Sequence, residues 1–187
     1  MNFAPVIGAA QLALGRGEGI RRFGDTPQAF LASLAPLVAF PLVGAAILLL
    51  SGGGGGAVTT LLLTLVAQLA PALLSHALAV RWGREAEWLR YATAFNWCQW
   101  AIPVMAFLLL VLLQFALGAG MPDSVAATLL VFALAGYGIW LHWVIARHGL
   151  NLPKGRAALL VVLVNAGTLV LVMGPRLLQI GLNGSSA

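Results

Sequence analysis

Side chains able to do acid–base, nucleophilic or metal chemistry are sparse in this chain. Its acids are Glu18, Asp25, Glu85, Glu87 and Asp123, its histidines His76, His142 and His148, and its single cysteine Cys98. A lone cysteine excludes a disulfide framework. The sequence has no His-x-x-x-His pair, and with one thiol and so few carboxylates a zinc site is not expected. It also lacks a Gly-x-Ser-x-Gly elbow, a His-Glu-x-x-His helix and a pair of intramembrane aspartates. With no residue set to carry a reaction, the sequence predicts a non-enzymatic protein that needs no cofactor.

What remains is uncharged polarity inside apolar stretches. At 100° per residue, Thr64, Gln68, Pro71 and Ser75 share one helix face. Asn96, Gln99, Pro103 and Gln114 share another, and Asn165 and Thr168 a third, with Arg176 on the same face just past the end of its stretch. Lipid offers such faces no partner, so they are expected to point into a bundle. Two uses fit them: hydrogen bonds between helices, or the lining of a solute path. His76 and His142 stand near the ends of the second and fourth apolar stretches, at similar depth. Two histidines from different helices at one depth are a haem b ligand pattern. The plainer reading is polar contact with headgroups or with Asn96. The candidate polar site, in the membrane interior or towards its cytoplasmic side, is thus Gln68, His76, Asn96, Gln99, His142 and Asn165.

The elements that position these residues follow from composition. The chain has 187 residues, 61% hydrophobic and 8% charged, with a mean hydropathy of +0.97. A soluble domain carries about 25% charged residues, so a water-soluble globule is excluded. Five apolar stretches approach the ~20 residues that cross a bilayer. The sequence therefore predicts an all-α polytopic membrane bundle with spans at about 28–50, 57–80, 92–117, 123–147 and 157–175. Residues 1–27 form an N-terminal segment, 28–181 the membrane domain and 182–187 a short tail. Asp25-Thr26-Pro27 is a start signal for the first span, and Met121-Pro122-Asp123-Ser124 reads as a turn and cap before the fourth. Prolines 36, 41, 71 and 103 lie inside spans and should bend them. Glycines 52–56 predict a flexible turn, and Gly174-Pro175 an end to the fifth span. In the N-terminal segment, Phe3, Val6, Ile7, Ala10 and Leu14 recur at roughly helical spacing, which suits an interfacial helix. Glycines 15, 17 and 19 predict a hinge between two short pieces. No positive region precedes Phe3, so the start does not read as a signal peptide.

Charge orients the bundle. With five spans, Arg16, Arg21 and Arg22, then Arg81, Arg84 and Arg90, then Arg147, Lys154 and Arg156 fall on one side. Of the ten Lys and Arg, only Arg176 is left for the other. The positive-inside rule then places the N-terminus in the cytoplasm and the C-terminus outside. Trp82, Trp88, Trp97, Trp100, Trp140 and Trp143 all gather at or near the same basic side. A net charge of +5 with a pI of about 10.7 would suggest nucleic acid in a soluble protein. Here the basic residues sit in short loops, so the expected contact is with anionic headgroups and no nucleic-acid partner is expected.

This layout of a short cytoplasmic segment, five spans and an external C-terminus resembles the Yip family (Ypt-interacting membrane proteins) and its bacterial relatives. GDTPQAFLASLAPLVAFPLVG, residues 24–44, is similar to the opening of the first span in small alphaproteobacterial proteins of this type. YATAFNWCQW, residues 91–100, is similar to the Asn-Trp opening of their third span. The resemblance implies a non-enzymatic membrane role. Eukaryotic members contact small GTPases and shape traffic membranes, a partner class that does not transfer to a bacterial-looking chain, and no binding residue is carried over. The leading expectation is a structural or interaction protein of a bacterial inner membrane, meeting lipid, a membrane-protein partner or a second copy of itself. A small-solute transporter or pore using the polar faces of spans two, three and five is the alternative, and a haem-binding electron carrier a distant one.

Overall fold

The computed structural model describes residues 3–52 and 54–184, with side chains at all of these except 55 and 175–184. The side chain of Arg176 and the tail residues 185–187 lie outside the described residues. Among the described residues the chain is helical and has no strand. The elements are α1 (Ala4–Ala13), a 3-10 helix (Gly17–Arg22), α2 (Pro27–Leu50), α3 (Gly54–Arg81), α4 (Glu85–Cys98), α5 (Ala101–Gly118), α6 (Asp123–Gly149) and α7 (Lys154–Gly184). Five segments are long and apolar enough to cross a membrane: Pro27–Leu50, Gly56–Arg81, Glu85–Gly118, Asp123–Gly149 and Lys154–Gly174. The chain is thus built as a multi-pass membrane bundle.

The starts and stops have local causes. At the head of α2, Thr26 Oγ1 accepts from the Ala29 amide at 3.2 Å and Pro27 occupies the first turn. At the tails one device recurs: Gly15, Gly52, Gly83, Gly120 and Asn151 each follow a helix C-cap with positive φ. After α1, α3, α5 and α6 the next amide folds back onto the last turn, as in Arg16 N to Gln11 O and Arg84 N to Ala79 O, both 2.8 Å. This Schellman closure satisfies carbonyls that would otherwise be orphaned.

Several local expectations are corrected. Residues from Gly54 onward are already helical, so the glycine run supplies the first turn of α3 as well as the connection. First-turn amides have no intrahelical partner in any case, and in lipid a helix is the cheapest way to satisfy the rest. The Gly174-Pro175 pair does not end α7, whose backbone stays helical to Gly184. The cap of α6 is Pro122, with no side-chain cap bond, and Asp123 is the first helical residue.

The third span is two helices. α4 ends at Cys98 and α5 begins at Ala101. Pro103 explains the joint: its ring collides with the carbonyl four residues back, that of Gln99, and gives it no amide. The Ile102 amide reaches Gln99 O instead, at 3.3 Å, in a tightened turn. The joint also changes the helical phase. Asn96 is buried and Gln99 half-buried, but Gln114 is exposed rather than on a shared inner face.

The packed core lies at the basic end. It is built from Tyr91, Cys98, Leu141, Ile145, Leu150 and Leu160, among others, from α4, α6 and α7. α5 buries no residue at all. The N-terminal segment folds back onto this core: Leu12 is fully buried, and Tyr137 Oη donates to Ala13 O at 3.2 Å. Gly8 allows the close approach, because a Cβ there would stand 2.8 Å from Phe23 Cε2 and 2.9 Å from Gly19 O. Phe3, Val6, Ile7 and Leu14 stay exposed on the outer side of α1.

Candidate functional site

The polar residues of the spans meet in two hydrogen-bonded groups. The first joins α6, α7, α4 and α3. Asn165 Nδ2 donates to its own helix at Val161 O (2.7 Å) and contacts His142 Nδ1 at 3.2 Å. With Nδ2 a donor, Nδ1 must accept, which puts the ring proton on Nε2. Nε2 then donates to Tyr91 Oη at 2.8 Å. Ser75 is within hydrogen-bonding reach of that hydroxyl. Its Oγ accepts from Trp88 Nε1 at 3.2 Å and donates to Ala72 O at 3.0 Å. Each donor along this series has an acceptor, which is what burial at membrane depth demands. Phe95 packs on the His142 ring at 4.7 Å between centroids.

The second group joins α4 to α2. Asn96 Nδ2 donates to Ser33 Oγ at 2.9 Å, and Ser33 donates to Phe30 O at 2.6 Å. Phe30 in turn packs on Trp88, which also meets His76 edge-on at 4.6 Å. His76 is half-exposed near the basic end, with Nε2 3.9 Å from Glu85 Oε1. It shares no hydrogen-bond partner with His142, and both ring nitrogens of His142 are engaged. No group of His, Cys, Asp and Glu that could hold a metal ion occurs among the described residues.

Gln68 and Gln99 belong to neither group. Gln68 Oε1 is buried without a partner. It borders a cavity of about 190 Å³ with Leu37, Ala67, Pro71, Asn96 and Gln99. Leu37, Ala67 and Gln99 stand four residues before Pro41, Pro71 and Pro103, so each carbonyl has lost its regular helical donor. Gln99 also borders a second, larger cavity of about 660 Å³ between α5, α6 and α7, together with His142 and Asn165. The expected site thus divides: Asn96, His142 and Asn165 are tied into networks, Gln68 and Gln99 face cavities, and His76 lies apart.

Tyr91, Ser33, Ser75 and Trp88 complete these networks. Ser75 lies on a polar face legible in the sequence. Ser33 carries no such signal, because a helical serine ordinarily bonds the carbonyl a turn back. Tyr91 looks like one more aromatic at the head of a span.

At the basic end, Arg90 pairs with Asp25, and Arg84 Nη1 with Glu87 Oε1 at 3.4 Å. Arg22 Nε donates to Gln11 Oε1 at 2.9 Å, and Arg147 lies over the Trp143 ring at 5.5 Å. Arg16, Arg21, Arg81, Lys154 and Arg156 are exposed, with no acid in ion-pair range among the described residues. The fold and these features define an all-helical multi-pass membrane protein with a cationic end. Compared with known proteins, the chain matches no family model, no curated protein and no solved structure.

Proposed function

We propose that this is a non-enzymatic integral protein of a bacterial inner membrane with a structural or interaction role. Its basic end faces the cytoplasm and its C-terminus lies outside. One observation carries the reading: the tightly packed part of the molecule is the end that displays Arg16, Arg21, Arg81, Lys154 and Arg156 without acidic partners. The folded-back N-terminal segment helps to build that end, so its cations are held on a rigid frame. Each Lys or Arg near an anionic leaflet contributes about 1 kcal/mol. This supports docking on anionic headgroups or on an acidic partner held at them, and it agrees with the Yip-like layout.

Native mass spectrometry of protein extracted in mild detergent tests the role. Retained anionic phospholipid or a retained partner, lost in an R21E/R81E/K154E variant, is the expected result. A bare monomer in both proteins overturns it. Alkaline phosphatase fusions test the orientation: activity is expected at the C-terminus and not at the N-terminus, and both ends on one side would refute the five-span topology.

A second reading, a path for small neutral solutes, is favoured by the unpartnered Gln68 Oε1 at the cavity shared with Gln99. Osmotic swelling of proteoliposomes in urea or glycerol checks it. Flux that falls at least tenfold in Q68L and Q99L supports the path, and equal flux removes it.

A further inference from the structure

The larger cavity has a composition that the interaction role does not use. Its walls come from three membrane-length segments and run from the packed core, at Cys98, His142 and Ile145, towards the middle of the bundle, where Gln99 of Glu85–Gly118, Ala135 of Asp123–Gly149 and Asn165 of Lys154–Gly174 lie. Its mouth is lateral. Ile139 is 55% and Leu169 62% exposed, and Asn165 is exposed as well. In a bilayer those residues meet acyl chains, not water. The volume of about 660 Å³ lies in the range of small-molecule sites.

No charged residue borders this cavity, but it is not purely apolar. Both hydrogens of Asn165 Nδ2 are used by Val161 O and His142 Nδ1. Its Oδ1 has no hydrogen-bond partner among the described residues, and neither has the Gln99 amide. An amide left without partners in hydrocarbon costs several kcal/mol. Phospholipid tails cannot relieve that, and a phospholipid headgroup cannot be drawn to this depth, because its charges would leave water. A hydroxyl can do both: it donates to Asn165 Oδ1, accepts from Gln99 Nε2 and carries no charge.

We propose that this cavity is a lateral binding site for a neutral, hydroxyl-headed lipid, a long-chain or isoprenoid alcohol or a diacylglycerol. The hydroxyl is held by Gln99 and Asn165 and the hydrocarbon runs out between α5 and α7. Asn165 is in turn held by His142, whose Nε2–H is anchored on Tyr91, so the acceptor arrives pre-oriented.

The test uses full-length protein in phosphatidylcholine nanodiscs and a diazirine-bearing long-chain alcohol, with crosslinked peptides mapped by mass spectrometry. Label is expected on the α6 and α7 peptides that wall the cavity. Unlabelled oleyl alcohol should reduce it at least tenfold, and equimolar phosphatidylglycerol should not. Ala135→Phe, which fills the cavity, should abolish it, and Gly136→Phe should not, since a Cβ at Gly136 meets nothing within 4 Å. Gln99→Leu changes no hydrogen bond within the protein and should weaken labelling about tenfold, which serves if Ala135→Phe does not fold. Equal labelling in all variants, or equal competition by phosphatidylglycerol, identifies bulk lipid at an apolar face and overturns the proposal.

Discussion

At the residue scale, the deciding fact is which polar side chains are satisfied by another helix. Asn165 and Thr168 share a face of α7, yet their positions differ in kind. Thr168 Oγ1 bonds only its own helix, at Val164 O (2.8 Å), whereas Asn165 also reaches His142 on α6. Thr168→Val is therefore expected to be nearly neutral in thermal unfolding in detergent. Asn165→Leu leaves His142 Nδ1 without its donor and should destabilise by about 1–2 kcal/mol. Ser33→Ala removes the acceptor of a buried Asn96 amide and should act in the same range. Equal unfolding temperatures for these variants and the parent would deny the networks their structural part. That the polar faces of the spans need partners was legible in the sequence, since lipid has none to offer, although Asn165 is exposed and Ser33 gave no signal. Their pairing was not, because helical phase fixes a direction and not the side chain that stands opposite.

At the element scale, the prolines and the positive-φ residues shape the bundle. Pro103 separates α4 from α5 and so decides that Gln99 borders two cavities while Gln114 faces outward. Pro103→Ala returns an amide to Gln99 O and should straighten the pair. Spin labels at positions 86 and 112 would then approach the roughly 39 Å of a continuous helix at 1.5 Å per residue, from a shorter distance in the parent. An unchanged distance would mean that packing of α4 on α6 holds the bend without the proline. Gly120 has φ of 95° and open space around its Cβ position, so Gly120→Ala isolates backbone strain. It should cost about 1 kcal/mol of stability, read again by thermal unfolding. The bends and stops were visible as Pro and Gly. Missing from sequence was their strength: Pro175 and the glycines after Gly53 read as breakers and are helical, at the ends of spans where a regular helix already leads in or out.

At the scale of the whole molecule, the bundle is tight where it is basic and thin where it is not. The N-terminal segment is the clasp of the tight end. Gly8→Leu would drive a side chain into Phe23 and the Gly19 carbonyl and should lift α1 away from the core. Limited trypsin digestion in mild detergent should then cut after Arg16, Arg21 and Arg22 several-fold faster than in the parent. Gly136→Leu, at an open position, should leave the rate unchanged. If both variants are cut like the parent, the segment is held by something other than this close packing.

Composition alone determined the class of this protein. Too few charges to coat a globule and five apolar stretches of bilayer length leave an all-helical bundle as the way to satisfy every backbone group. The basic residues, read along the chain, already mark one end. Tertiary structure decided what lies within that frame: Tyr91 beneath His142, Ser33 beneath Asn96, the N-terminal segment against α4 and α6, and an uncharged cavity bordered by Gln99 and by the Asn165 amide oxygen. The division has one physical reason. Transfer between water and hydrocarbon depends on residue type and segment length, which are local. A hydrogen bond or a cavity depends on which faces of distant helices come together, and that is settled only when the bundle packs.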